Sequence, residues 1–320
     1  MSGQVTITIK VPPTQSETTR SHFGDLGFSF EAADHAFWRG RGDGCIATFY
    51  RSGKVVLQGP NADVFASQLD GEEQAKRTVA SPKKAVEDRG ALFEEAMAMH
   101  PHPAPQRWVG IDETGKGDYF GPLIIVAAAI ERSRVPLLVE LGIADSKKLS
   151  DKLMRKITPD LKACCVYSTV IIRPERYNEL YAKIGNLNRL LAWGHARALE
   201  DVLEKAPDCT YGLSDQFARD TRVVERQLME RGRGIRYDQR TKGESDPAVA
   251  VASVLARDTF LTEMRRLEKW VGRSLPKGAG GPVLAAARDI ANGPEPAILR
   301  RVAKLHFKTT QDIGLPLDFA

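Results

Sequence analysis

The sequence predicts an α/β protein with two units, a small α+β unit followed by a larger unit in which a central mixed sheet is flanked by helices. Three observations predict this class. Apolar runs suited to buried strands recur in the second part of the chain, long helical periodicities lie among them, and a proline-rich tract separates this part from a strand-rich first part. With 320 residues and 42% hydrophobic composition, the chain is large enough for two cores.

The first unit, assigned to residues 1–80, begins with the alternating stretch "QVTITIKV", which is typical of a strand. The stretch "CIATFYRSGKVVLQG" contains two apolar runs around a Ser-Gly turn and predicts a hairpin. A helix is predicted in "NADVFASQL". These elements indicate a small α+β domain.

A linker that is helical in part is predicted for residues 81–105, because the chain there is charged, poor in apolar residues and ends in the proline-rich stretch "MHPHPAPQ". His100 and His102 lie in this tract. They are not interpreted as metal ligands, because the prolines leave no scaffold to orient them.

The second unit, assigned to residues 106–320, begins with the strand "RWVGIDET", which is predicted to pair through a Gly-rich turn with the buried strand "LIIVAAAI". Two further strands are predicted in "ACCVYSTVII" and "CTYGLSDQF". Helical periodicity marks "RYNELYAKIGNLNRLLAWGHARALEDVLEK", "DPAVAVASVLARDTFLTEMRRLEKWV" and "GPVLAAARDIAN".

Composition excludes several classes of protein. No apolar run reaches the length of a membrane span, and the start of the chain lacks the pattern of a secretion signal, so we expect a cytoplasmic location. The four cysteines show no C-x-x-C spacing, which disfavours a zinc site or a disulfide framework. Residues 81–320 contain 38 Lys and Arg against 32 Asp and Glu, a balance compatible with a polyanionic partner but also ordinary for an enzyme.

Two acids, Asp112 and Glu113, stand directly before a Gly-Lys-Gly turn in "VGIDETGKGDYFGP". This stretch nearly matches the phosphate-loop pattern G-x-x-x-x-G-K-[ST], but Gly117 stands where a nucleoside triphosphatase needs a Ser or Thr ligand for its metal. Acids inside such a loop would also repel phosphates. A divalent metal ion beside the turn explains the acids better, because Mg²⁺ and Mn²⁺ prefer hard oxygen ligands.

Both acids can serve one site only under a condition. Successive side chains of an ideal strand point to opposite faces, so we expect the strand to be distorted at Asp112 and Glu113, as the following glycines would allow. Two metal ions need further carboxylates. Asp215 ends an apolar strand, and Glu244 and Asp246 precede a helix in "TKGESDPAVAVAS". A turn or helix-capping role stays open for each of these three acids.

Taken together, several stretches resemble the type 2 ribonucleases H, and in particular the ribonuclease HIII branch. They are "GIDETGKGDYFGPLIIVAA", "ADSKKLSD", "GNLNRLLAWGHARAL", "SDQFA", "KGESDPAVAVASVLARDTFL", "LPKGA" and "AKLHFKTT", which follow one another between residues 109 and 310. The resemblance implies a ribonuclease-H-like fold for the second unit. For the first unit it implies a TATA-box-binding-protein-like domain that helps to grip the substrate.

The activity implied by the resemblance is endonucleolytic hydrolysis of the RNA strand of an RNA/DNA hybrid, with two Mg²⁺ or Mn²⁺ ions and with 3′-hydroxyl and 5′-phosphate products. In this family the Gly-rich turn recognises 2′-hydroxyl groups beside the cut. The resemblance assigns catalytic and metal-binding roles to Asp112, Glu113, Asp215 and Glu244, and substrate contacts to Gly115, Lys116, Gly117, Ser146 and Lys147. Asp246 is the alternative fourth carboxylate. His195 and His306 are interpreted as structural.

The expected partner is therefore an RNA/DNA hybrid. The protein is expected to be a monomer that needs no small-molecule cofactor and does not bind a membrane. A non-catalytic hybrid-binding protein is the alternative, although four carboxylates near a phosphate path oppose binding unless metal ions neutralise them. The first unit has no net positive charge. Any grip on nucleic acid must then come from exposed aromatic residues or from a local cluster such as Arg39, Arg41, Arg51 and Lys54.

Overall fold

The structure is a computed structural model that describes residues 5–33, 35–59, 61–67, 69, 82–143 and 149–315. The chain divides into two compact units, Met1–Ala85 and Val86–Ala320. In the ranges that the structure describes, no helix has the length and apolarity needed to cross a membrane.

Within the residues that the structure describes, the first unit is a five-stranded antiparallel sheet with two helices. Its elements are β1 Val5–Lys10, α1 Ser16–Asp25, β2 Ser29–Glu31, β3 Ala36–Gly42, β4 Cys45–Tyr50, β5 Lys54–Gly59 and α2 Ala62–Ser67. The strand order is β1-β5-β4-β3-β2, and the predicted hairpin is the β4–β5 pair. Alternate residues such as Trp38, Phe49 and Leu57 form the core with Phe23 of α1 and Phe65 of α2. The predicted small α+β domain is confirmed.

The second unit contains a mixed five-stranded sheet with helices on both faces, as predicted. Its strands are β6 Arg107–Thr114, β7 Leu123–Glu131, β8 Val166–Ile172, β9 Tyr211–Asp215 and β10 Arg236–Arg240. Its helices are α3 Pro82–Ala98, α4 Val135–Glu140, α5 Asp151–Cys164, α6 Pro174–Ile184, α7 Leu187–Lys205, α8 Arg222–Glu225, α9 Glu230–Arg233, α10 Pro247–Val271, α11 Gly281–Ala291, α12 Leu299–Val302 and α13 Lys308–Asp312.

Strand β6 lies at the centre of this sheet, whose order is β10-β9-β6-β7-β8. It pairs antiparallel with β7 and parallel with β9. Helix α10 packs on one face of β6 so closely that a Cβ atom at Gly110 would lie 2.1 Å from the backbone of Ala248. Helix α7 covers the other face, where Val109 and Ile111 join the core. The α10 contact explains why position 110 needs glycine.

The segment predicted as a linker, 81–105, is largely part of the second unit. Helix α3 runs through it, and Phe93 and Met97 are buried in the core beneath the sheet. Phe93, Ala96 and Met97 have the i, i+3, i+4 spacing of one helical face. This short apolar stripe is outweighed in the sequence by the charged residues around it.

Two further details differ from the sequence prediction. The long helical run between residues 176 and 205 is two helices, because α6 ends at Gly185 with φ of 64° and Asn186 caps α7 by accepting a hydrogen bond from the Arg189 N–H. Strand β10 was not predicted. Its sequence, "RYDQR", has no apolar alternation, and the strand lies at the edge of the sheet.

Candidate active site

Four carboxylates lie near the same end of the sheet of the second unit, where strands β6 and β9 finish. Asp112 and Glu113 lie near the end of β6, and Asp215 is the last residue of the parallel neighbour β9. Glu244 lies in a short 3-10 turn, Gly243–Ser245, whose Gly243 N–H donates to the Asp215 carboxylate at 2.8 Å. Carboxyl ends of parallel strands share an edge of the sheet, which is why β6 and β9 bring these acids together. We call these four residues the acid cluster.

The expected distortion of the strand at Asp112 and Glu113 is wrong. Both residues are in regular register with β7, and the ladder continues to Thr114 opposite Ile124. The pleat therefore directs Asp112 towards α10, where the Ser253 hydroxyl is its hydrogen-bonding partner, and Glu113 towards α7. The continuous pairing with the long strand β7 keeps the strand regular. The two carboxylates still interact electrostatically, because the charge of Glu113 raises the pKa of Asp112.

The pKa values of Asp112 and Asp215 are both raised. Burial, the charge of Glu113 and a smaller effect of Asp215 raise the pKa of Asp112 to about 7, against the lowering effect of its hydrogen bonds. Burial also raises the pKa of Asp215; the hydrogen bond from Gly243 opposes the shift, and the charges of Glu244 and Glu113 add to it. Both carboxyl groups thus lie where more positive charge would stabilise their ionised form.

Glu113 differs from its neighbours because a cation and a histidine ring contact its carboxylate. The Lys116 ammonium lies 2.8 Å from its Oε1 atom, and the His195 Nε2 atom lies 3.0 Å from its Oε2 atom. Burial acts to raise the pKa of Glu113, but His195 and Lys116 outweigh it and the pKa is lowered. The side chain of His195 is fully buried in α7, beside the ring of Phe217. Spacing in the sequence gave no sign of this contact across 82 residues.

Asp246 does not point into the acid cluster. Its Oδ1 atom accepts hydrogen bonds from the Ala248 N–H at 2.9 Å and the Trp108 indole N–H at 3.0 Å, and its Oδ2 atom lies 2.7 Å from His100 Nε2. The side chain is only 1% exposed. Asp246 is thus the N-cap of α10 and a buried anchor for His100, so the geometry favours Glu244 as the fourth carboxylate.

The Gly-rich turn beside the acid cluster is held firmly on one side. Gly115 has φ of 98°, and a Cβ atom there would lie 2.2 Å from the Pro122 carbonyl oxygen. The buried ammonium of Lys304 donates to the Gly121 carbonyl oxygen at 2.5 Å, and the Asp118 carboxylate accepts from the Gly278 N–H at 2.6 Å. Lys116 and Gly117 are exposed. Ser146 and Lys147, predicted as phosphate contacts, lie outside the described residues.

The carboxylates of the acid cluster are the ligand type that Mg²⁺ and Mn²⁺ prefer, but their oxygens are not arranged around a common point. In the described part of the chain, no group of three or more His, Cys, Asp or Glu side chains is placed to hold a metal ion. Oxygens of Glu113, Asp215 and Asp112 accept hydrogen bonds from protein groups instead. The donors are hard carboxylate oxygens, and the raised pKa values of Asp112 and Asp215 show a deficit of positive charge, so the residues fit a divalent ion.

Comparison with known proteins agrees with this site. The family model described as Ribonuclease HII matches residues 109–310. A model described as a domain of unknown function, DUF3378, matches residues 6–82. The second unit is therefore a type 2 ribonuclease H domain, and it contains the whole acid cluster.

Relatives named Ribonuclease HIII match almost the whole chain. The protein from Chlamydia pneumoniae is 33% identical over 92% of this chain and 93% of its own length. The one from Protochlamydia amoebophila is 35% identical over 90% and 89%. The solved structure of Bst-RNase HIII in complex with Mn²⁺ matches with a TM-score of 0.62 at 26% identity, covering 97% of this chain and 98% of that one. The chain belongs to the ribonuclease HIII family and is a ribonuclease H enzyme.

Proposed function

We propose that the protein cuts the RNA strand of RNA/DNA hybrids internally by a mechanism that uses two divalent metal ions and leaves 3′-hydroxyl and 5′-phosphate ends. The observation that carries this proposal is the acid cluster at the ends of β6 and β9, directly beside the Gly115–Gly117 turn. Family membership supports an enzyme over the non-catalytic hybrid-binding protein.

Asp112, Glu113, Asp215 and Glu244 would hold the metal ions. A relative solved in complex with Mn²⁺ supports this proposal. Divalent ions held by these residues would activate a water molecule and would neutralise the charge that develops on the leaving 3′-oxygen. The protein's own part is to hold the four carboxylates in place, and His195 also lowers the pKa of Glu113 through the 3.0 Å contact.

The Gly115–Gly117 turn would read the sugar of the strand that is cut. In the described part of the chain, no atom would lie within 4 Å of a Cβ atom at Gly117, so the backbone is open to a ligand there. The rigid support at Gly115 keeps the backbone groups in one position, and 2′-hydroxyl groups are the feature that separates RNA from DNA. We propose that this turn excludes a DNA strand from the acid cluster.

The proposed activity is tested with a hybrid labelled on either strand. In the presence of Mg²⁺ or Mn²⁺ we expect internal cuts in the RNA strand, products with 3′ ends that a polymerase extends, and an intact DNA strand. Retention of the hybrid without cutting would support the binding-protein alternative instead. Hydrolysis of nucleoside triphosphates without a nucleic acid would revive the phosphate-loop interpretation.

We propose that the first unit grips the hybrid through the open face of its sheet. Opposite its core, this face carries Lys10 and Lys54 on directly paired positions of β1 and β5, with Tyr50 next in the same row. Like charges on paired positions of a sheet repel each other, and an anionic partner relieves that repulsion. Arg39 and Arg41 of β3 belong to the same face. The cations together with the Tyr50 ring suit a phosphate backbone with accessible bases.

We expect the double variant Lys10→Gln/Lys54→Gln to raise KM for the hybrid about tenfold at moderate salt, with kcat within about twofold of wild type, because two phosphate contacts are lost. The slope of log KM against log salt concentration should fall by about two. The control is Arg20→Gln, which removes a charge from α1 on the other face of the sheet. An unchanged salt slope in the double variant would contradict the proposed grip.

A further inference from the structure

Lys116 places a positive charge inside the acid cluster. Its ammonium lies 2.8 Å from Glu113 Oε1, and its side chain is 47% exposed whereas that of Glu113 is 4% exposed. Asp112 and Asp215 also act electrostatically on this ammonium. The lysine therefore reaches from the exposed tip of the turn back to the carboxylates that would hold metal ions.

Both carboxylate oxygens of Glu113 are engaged by protein groups. Oε2 contacts His195, and Oε1 contacts Lys116. A metal ion that binds Glu113 must share an oxygen with one of these two groups or displace it. A divalent cation and an ammonium repel each other at such short range, so the two do not share an oxygen readily.

The two partners of Glu113 differ in their freedom to leave. The His195 side chain is completely buried within α7 and packs against Phe217, so its displacement would open the core. Lys116 has a flexible stem, is half exposed, and lies between two glycines. Its departure breaks an ion pair whose ammonium is half exposed and whose carboxylate is buried, so the ammonium regains water while a divalent ion would neutralise Glu113 in its place. Lys116 is thus the group that a metal ion would displace from Glu113.

We propose that Lys116 is a built-in competitor of the divalent metal ion: its ammonium neutralises the acid cluster when no metal is bound and is displaced from Glu113 when a metal ion enters. This inference rests on the proposed metal-dependent function. Lys116 then sets the concentration of free metal ion that is needed to fill the site.

The inference is tested by Mn²⁺ binding to the full-length protein without substrate, measured by isothermal titration calorimetry and by the electron paramagnetic resonance signal of free Mn²⁺. We expect Lys116→Met to bind Mn²⁺ about fivefold more tightly than wild type, because no ion pair has to be broken. Lys116→Arg keeps the charge and the reach, so its affinity should stay within about twofold of wild type. Lys183→Met removes an exposed lysine at the end of α6 and should have no effect.

Equal or weaker Mn²⁺ binding by Lys116→Met would overturn the inference, as would tighter binding by Lys116→Arg of the same size. Asp112→Asn separates this failure from failure of the proposed function. If wild type cuts hybrids and Asp112→Asn weakens Mn²⁺ binding while Lys116→Met does not alter it, only the competitor role is refuted. If wild type neither cuts hybrids nor binds Mn²⁺ through Asp112, the proposed function fails as well.

Discussion

Replacement of Asp112 by Asn is expected to lower kcat on an RNA/DNA hybrid about a thousandfold while the Kd for the hybrid changes by less than about threefold. The pKa of Asp112 is raised to about 7, first by burial and then by the charges of Glu113 and Asp215, so its ionised form needs a cation. The amide has the same shape but cannot supply an anionic ligand. Single-turnover cleavage and fluorescence anisotropy measure the two quantities separately.

The stability of Asp112→Asn distinguishes lost chemistry from lost structure. A carboxyl group whose pKa is raised by folding stabilises the protein only while it is protonated, and this contribution is lost as the pH rises from about 4 to about 7. Asn has no charge to bury, so at pH 8 without divalent metal the variant should melt no lower than wild type. Asp160→Asn, a change at an exposed acid of α5, should leave both turnover and melting unchanged. Normal turnover in Asp112→Asn would remove this residue from the metal site.

Replacement of Asp246 by Ala is expected to lower the free energy of unfolding by about 3 kcal/mol, because Trp108, His100 and the first turn of α10 lose a buried partner together. In a unit of this size, such a loss lowers Tm by on the order of 10 °C. Glu244→Gln is the matched comparison two positions earlier. It should keep Tm within about 2 °C and lose most of kcat.

This pair decides which acid is the fourth carboxylate. The measurements are thermal unfolding by circular dichroism and cleavage at a temperature where both variants are folded. The assignment would be reversed by a Glu244→Gln variant with full turnover beside an Asp246→Ala variant that melts normally and does not cut.

Asp112, Glu113 and Asp215, with the strands β6 and β9 that carry them, were predictable because they depend on local patterns. An apolar strand that ends in acids, a glycine turn and a second strand that ends in an acid are visible in "GIDETGKGD" and "YGLSDQF". The regular course of β6 through Asp112 and Glu113 was not predictable, since it depends on pairing with β7 up to Ile124. Sequence spacing also could not separate Glu244 from Asp246. Their difference arises from Trp108 and His100, which are 138 and 146 residues away from Asp246.

Contacts with Glu113 show the same division between local and distant causes. Lys116 is three residues away, so the ion pair follows from the tightness of the turn. His195 is brought in by α7 packing on the far face of the sheet. The packing of helix α3 was not predicted for a related reason: its apolar stripe is short, and only burial of Phe93 and Met97 by the sheet of the second unit makes it part of a core.

The contact of His100 with Asp246 has a practical consequence for dissecting the protein. A recombinant catalytic fragment that begins at the first strand of the second unit, near residue 106, would lack both α3 and His100. It would expose the surface that Phe93 covers and leave one oxygen of a fully enclosed carboxylate without its partner. A catalytic fragment should therefore begin before Val86, the first residue of the second compact unit.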